Sequence, residues 1–153
     1  MGSSPTGRGW HRGSSLSAWE TFEHEADVGL VVRGRDGPDL FANAGIALFS
    51  LVCELDRVVP RERHELARRA GAADTLLVAW LNDLVYLFEA EDVVCSRFEF
   101  AEWSETAYRA HALGEPADPE RHDPRDLVKA ATYHGLALAR TQEGFEARVI
   151  LDV

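Results

Sequence analysis

Leu40, Phe41, Ala44, Leu48, Leu51, Val52 and Leu55 recur at steps of three and four, the spacing that lines one face of an α-helix. The turn-forming GRDGPD at 34–39 precedes them, and Pro38 suits a first helical turn. A helix is therefore predicted from there to about residue 55. A second helical pattern, TLLVAWLNDLVYLFEAE, sets Leu77, Trp80, Leu81, Leu84 and Phe88 on one broad face, with Asp74 as its expected N-cap. Elsewhere the pattern favours strands. WETFEHEADVGLVVR (19–33) alternates and then runs apolar, predicting one strand. VVPRERHEL (58–66) alternates weakly and carries Pro60, which suits an exposed or edge strand. VVCSRFEFAEW, AYRAHALGE, DLVKAATYHGLALAR and GFEARVILDV complete the set, with QEG near 142–144 as a hairpin turn between the last two. PADPERHDPRD at 116–126 reads as a polar loop. The predicted class is α+β: an antiparallel or mixed sheet of about six strands with two amphipathic helices packed on it.

The 153 residues suit a single domain over 19–153, preceded by a Gly/Ser-rich flexible tail at 1–18. That tail lacks the apolar stretch of a secretory signal, and the apolar runs are too short for a membrane helix, so a cytoplasmic protein is expected. A net charge of −10 argues against a dedicated nucleic-acid binder, because phosphate contact needs a basic face. It suits a hard cation or a basic protein partner. Cys53 and Cys95 sit in apolar segments without a CxxC spacing and read as small buried hydrophobes.

No dinucleotide fingerprint, Walker A motif or nucleophile setting occurs. HEAD at 24–27 is no zinc-protease motif, since Val28 stands where the second histidine is required. Asp27 would share a strand face with Glu23 and Glu25, which is either a solvated acidic face or part of a site. Asp152 lies beside the terminal carboxylate of Val153, and Asp27 adds a third oxygen donor if the first and last strands meet. Such a set fits Ca²⁺ or Mg²⁺. Glu115, Asp118, His122 and Asp123 form either a second metal or acid–base cluster or a merely soluble loop. Fifteen of the sixteen cations are arginine; the one lysine, Lys129, lies in DLVKAATYHG. On a regular strand Lys129 points with Ala131 and Tyr133, while Val128, Ala130, Thr132 and His134 point oppositely. His134 is then expected to be buried and Lys129 to lie nearer a functional surface. A metal-dependent hydrolase using Asp27, Asp152 and His134 is a rival reading, without a recognised spacing behind it.

Together, FEHEADVGL, LLVAWLNDLVYLFE, GE followed by H, VKAATYHGL and the Asp-aliphatic end resemble the archease family over Trp19–Val153. Departures from its pattern are modest: Glu25 for a small residue or threonine, Asp83 for glutamate, and Ala131 for a larger aliphatic. The resemblance implies an accessory protein rather than a stand-alone enzyme. It implies an activator of an RtcB-type RNA ligase in tRNA splicing and RNA repair, promoting guanylylation and multiple turnover. A chaperone-like role toward a tRNA methyltransferase is also attached to the family. Carried over by motif, the family's metal site falls on Asp27, Asp152 and Val153. His24, Lys129, Thr132 and His134 would then lie on or beside the partner surface.

Overall fold

The computed structural model describes residues 17–24 and 27–153. Apart from Ser17 and Ala18, the expected tail lies outside these residues. The expected 19–33 strand is two: β1 (Trp19–His24) and β2 (Asp27–Gly34), paired antiparallel with His24 opposite Asp27. Alternation alone cannot register a reversal this tight, because both arms keep a period of two. The single regular strand on which Glu23, Glu25 and Asp27 would share a face is not present, because Asp27 pairs with His24 across the β1–β2 ladder; Glu25 lies outside the described residues.

Helix α1 (Gly37–Val52) starts where Asp36 Oδ1 accepts from the Asp39 N–H at 2.9 Å, with Pro38 in its first turn. It ends at Val52, three residues short of the expected stop, and a short 3-10 turn follows over Leu55–Arg57. The edge strand begins later than expected: β3 spans Glu62–Arg69, leaving residues 58–61 outside it. Helix α2 covers Ala73–Glu91 with Ala72 at its N-cap, so Asp74 is not the cap. Asp74 instead accepts from the Thr75 N–H within the first turn, while Thr75 Oγ1 donates back to the Ala72 carbonyl. Strands β4 (Val93–Ser104) and β5 (Ala107–Pro116) follow. The supposed polar loop contains a short helix, α3 (Pro119–His122). Strand β6 (Ala130–Thr141) starts four residues later than expected and turns at residues 142–143 into β7 (Gly144–Asp152).

The α+β expectation stands, with the strands divided between two antiparallel sheets. One has the order β1-β2-β7-β6 and the other β3-β5-β4. Helix α1 packs on β2 of the first sheet and β4 of the second; α2 packs on β6, β4 and β3. The helices thus form a layer between the sheets and bury more than one stripe each. That is why α1 hides Leu40, Phe41, Ala44, Ala47, Leu48, Phe49 and Val52 together. At the centre Trp80 is fully buried, and its indole N–H donates to the Phe41 carbonyl at 2.8 Å. Phe41, Phe98, Phe100 and Tyr108 surround it with ring centroids 4.9–6.4 Å away. None of the described helices is long and apolar enough to cross a membrane.

Candidate functional site

Strands β2 and β7 pair with Val28 opposite Leu151 and Gly29 opposite Ile150. The ladder ends at this pair, and Asp27 and Asp152 are the next residue of each strand, so continuing the register by one step would set them opposite one another. Opposed positions in an antiparallel pair hold their side chains within about 5 Å. Two of the three residues carried over from the resemblance, far apart in sequence, thus lie at the same end of the first sheet, with Val153 directly after. Asp152 is exposed, while Asp27 and Val153 are half-buried. The donor set is all oxygen, which fits a hard divalent cation. Among the described residues no third His, Cys, Asp or Glu joins the pair. A cation there would complete its shell from main-chain oxygen, water or a partner.

The lysine run borders the same end. The Lys129 N–H donates to the Asp152 carbonyl at 2.8 Å, and Ala130 pairs with Asp152. Lys129 is exposed, whereas Ala131 is buried, so the two do not share a face as a regular strand would require. Past Thr132, paired with Ile150, the register jumps to Ala137 opposite Arg148. Tyr133, His134, Gly135 and Leu136 therefore bulge out of β6. Gly135 turns the chain with φ +63°, a left-handed conformation that glycine adopts without steric cost. His134 is exposed on this bulge, which overturns the expectation that it is buried. The alternation rule failed there because the ladder it assumes is interrupted. Thr132 bridges the interruption: its Oγ1 donates to the Ile150 carbonyl at 3.0 Å and accepts from the His134 N–H at 3.3 Å.

Sequence reasoning missed what holds this run. Strand β6 is an edge strand, so on one side its peptide groups lack a strand partner. Asn82 of α2 supplies one. Its Oδ1 accepts from the Ala131 N–H at 2.8 Å, and its Nδ2 donates to the Ala131 carbonyl at 3.1 Å. A side-chain amide offers one donor and one acceptor side by side, as a neighbouring peptide would. The next residue faces the other sheet: Asp83 accepts from the Tyr108 hydroxyl at 2.6 Å and pairs with Arg68. Burial, reinforced by this carboxylate, pushes the Tyr108 phenol up, so it stays a donor. Asn82 and Asp83 together tie α2 to both sheets. The only sequence signal was two adjacent polar residues inside a helix that is apolar on most sides.

The GE…H motif is not a solvated loop. Glu115 is 1% and His122 0% exposed. Glu115 Oε2 accepts from the Val59 N–H at 2.8 Å, from Arg121 at 2.9 Å and from His122 Nε2 at 3.0 Å; Oε1 takes Arg61 at 3.1 Å. Because His122 Nδ1 accepts from the Asp118 N–H at 2.9 Å, the ring proton sits on Nε2 and points at Glu115. The Arg121 guanidinium, then the Val59 N–H, hold the Glu115 carboxyl at about 2, against 4.5 ordinarily. Asp118 caps α3, and Asp123 turns away to Arg125. The cluster pins α3 onto the segment after α1, which gives it a structural rather than an acid–base role. Cys53 and Cys95 are free and buried, and burial pushes their thiols to about 11 and about 12. A cavity of about 560 Å³ lies at the opposite end of the first sheet, bounded by Gly34, Arg35, Asn43, Phe145 and Glu146. Its principal cations are internally paired, Arg33 with Glu20 and Glu146, and Arg35 with Asp39.

Comparison with known proteins agrees with the α+β fold. The chain is 33% identical to the protein archease of Methanosarcina mazei over 88% of this chain and 95% of that one. It is 35% identical to the protein archease of Methanopyrus kandleri, covering 88% and 99%. The solution structure of Methanobacterium thermoautotrophicum protein 1598 superposes with a TM-score of 0.75 at 28% identity, covering 89% of this chain and 99% of that one. A Thermotoga maritima crystal structure, described as an archease and possible chaperone, shares the fold with a TM-score of 0.56 at 19% identity, covering 94% and 100%. The family pattern described as Archease protein family (MTH1598/TM1083) matches residues 19–153. The chain belongs to the archease family.

Proposed function

We propose that this protein is an accessory factor that activates an RtcB-type RNA ligase, promoting its guanylylation and multiple turnover in tRNA splicing and RNA repair in the cytoplasm. Family membership supports the reading, as does the net charge of −10, which suits a partner that is basic because it binds RNA. What supports the metal-centred form is the β2–β7 register, which ends at Val28–Leu151 and so leaves Asp27 and Asp152 at one end of the sheet, near Val153 and Lys129. Asp27, Asp152 and Val153 would hold a Ca²⁺ or Mg²⁺ ion. Such an ion supplies positive charge for phosphate oxygens at the partner's nucleotide site. The protein's own groups would orient that charge: the strand pairing fixes the two carboxylates, and Asn82 and Thr132 keep the adjoining run in place. The description of the Thermotoga maritima relative as a possible chaperone favours a broader second reading, a chaperone-like partner binder, with a tRNA methyltransferase as one client.

The test mixes the protein with its cognate ligase, GTP and a limiting divalent ion, and measures ligase guanylylation and turnovers. Wild type should raise both. Asp27→Ala and Asp152→Ala should lose the effect and also lose Ca²⁺ or Mg²⁺ binding by calorimetry. No effect from the wild type would remove the ligase reading. Full activation by both variants would remove only the metal.

A further inference from the structure

Among the described residues four large apolar side chains stay exposed, and three of them border one surface: Tyr86 at 61%, Leu127 at 41% and Tyr133 at 62%. Tyr86 lies one helical turn after Asn82, which clamps Ala131, and one turn before Glu89, which approaches Asp126 and Lys129. Leu127 follows Asp126, and Tyr133 opens the bulge just past the clamp. The inner side of the same helix is closed by Val85 and Phe88 against Val128, so these tyrosines are not strays from the core. Among the described residues the carboxylates Glu89, Asp126, Asp152 and Asp27 border this end, with Lys129 between them. Glu89 and Asp126 stand so close that the Glu89 carboxyl is raised by its neighbour, with Lys129 offsetting part of the effect. The nearest arginine in sequence, Arg125, is turned to Asp123 and Glu54.

We infer that Tyr86, Leu127 and Tyr133, with the Glu89–Asp126 pair, form the docking surface for an arginine-bearing protein segment. The chemistry names the occupant. A guanidinium stacks on a tyrosine face and presents its fork to a carboxylate, so Arg satisfies both halves of the surface. An anionic lipid or RNA would meet four carboxylates. A second copy of this chain, docked about a two-fold axis, would set those carboxylates against themselves. The surface is continuous with the Asp27–Asp152 end, so a partner seated here has that end beside it. This inference rests on the proposed partner reading and supplies the contact on the archease side.

The experiment measures equilibrium binding of the full chain to its cognate ligase, with the activation titration alongside. Tyr86→Ser/Tyr133→Ser should raise Kd and the half-maximal activating concentration at least tenfold, while activation at saturation persists. Glu89→Gln/Asp126→Asn should flatten the dependence of Kd on salt. Glu143→Gln, at the far hairpin, is the control for unaltered binding. Because the substituted side chains are exposed, thermal melts should coincide with wild type. Kd values within twofold of wild type for both double variants would overturn the inference while leaving activation intact. If wild type ignores the ligase, a poly-arginine peptide is the second probe. NMR shifts confined to Tyr86, Leu127 and Tyr133 would keep the surface and remove the ligase, and no shifts there would overturn both.

Discussion

Replacing Asn82 by alanine tests the central structural claim, that one side chain stands in for a missing strand. The substitution removes two hydrogen bonds to Ala131, each contributing about 1 kcal/mol net. It also leaves an N–H and a carbonyl without partners on a residue only 4% exposed, where an unmet group costs about 1–3 kcal/mol. Water entering the vacated volume recovers part of this, so the expected loss is roughly 3 kcal/mol, a large share of a typical domain's stability. Asn82→Asp keeps the acceptor for the Ala131 N–H but loses the donor to its carbonyl. It should fall between wild type and alanine. Urea unfolding at neutral pH gives the stabilities, and amide exchange at Ala131 gives the local opening. A loss below about 0.5 kcal/mol with unchanged exchange at Ala131 would refute the clamp, since surface substitutions routinely stay within that range.

Glu115 makes stability pH-dependent in a defined window. Its folded-state carboxyl lies at about 2 against 4.5 ordinarily, so its contribution is complete above pH 4.5 and is lost as pH falls toward 2. The integrated contribution is roughly 3 kcal/mol, and Glu115→Gln should flatten the stability profile measured by urea midpoints between pH 6 and 3. Equal slopes for the two proteins would argue against the buried ion cluster. At the bulge, Gly135→Ala forces a side chain into a left-handed conformation at φ +63° with no neighbour nearer than 3.9 Å. A loss of about 1 kcal/mol in unfolding free energy is expected, from backbone strain alone; an unchanged midpoint would show that the bulge conformation is not enforced.

The two helices, the last four strands and the α+β class were legible because each carries a local period, and burial on a known face enforces that period. The metal candidates were legible only as oxygen donors; the motif resemblance joined them, and register made them neighbours. What stayed hidden has a common cause. The reversal between β1 and β2 preserves alternation on both arms, so no local signal marks it. The His134 bulge breaks the ladder on which the alternation rule depends, and the break is set by pairing with β7. The roles of Asn82, Asp83, Glu115 and His122 do not show until their partners, up to 56 residues away in sequence, are brought to them. The sequence alone determined the two long helices, most of the strands and the acidity of the molecule, because propensity, periodicity and charge are local. Only the tertiary structure decided that the helices lie between two sheets, that Asp27 and Asp152 share one end of a sheet, and that Tyr86, Leu127 and Tyr133 border one surface, because each of these depends on contacts between residues distant along the chain.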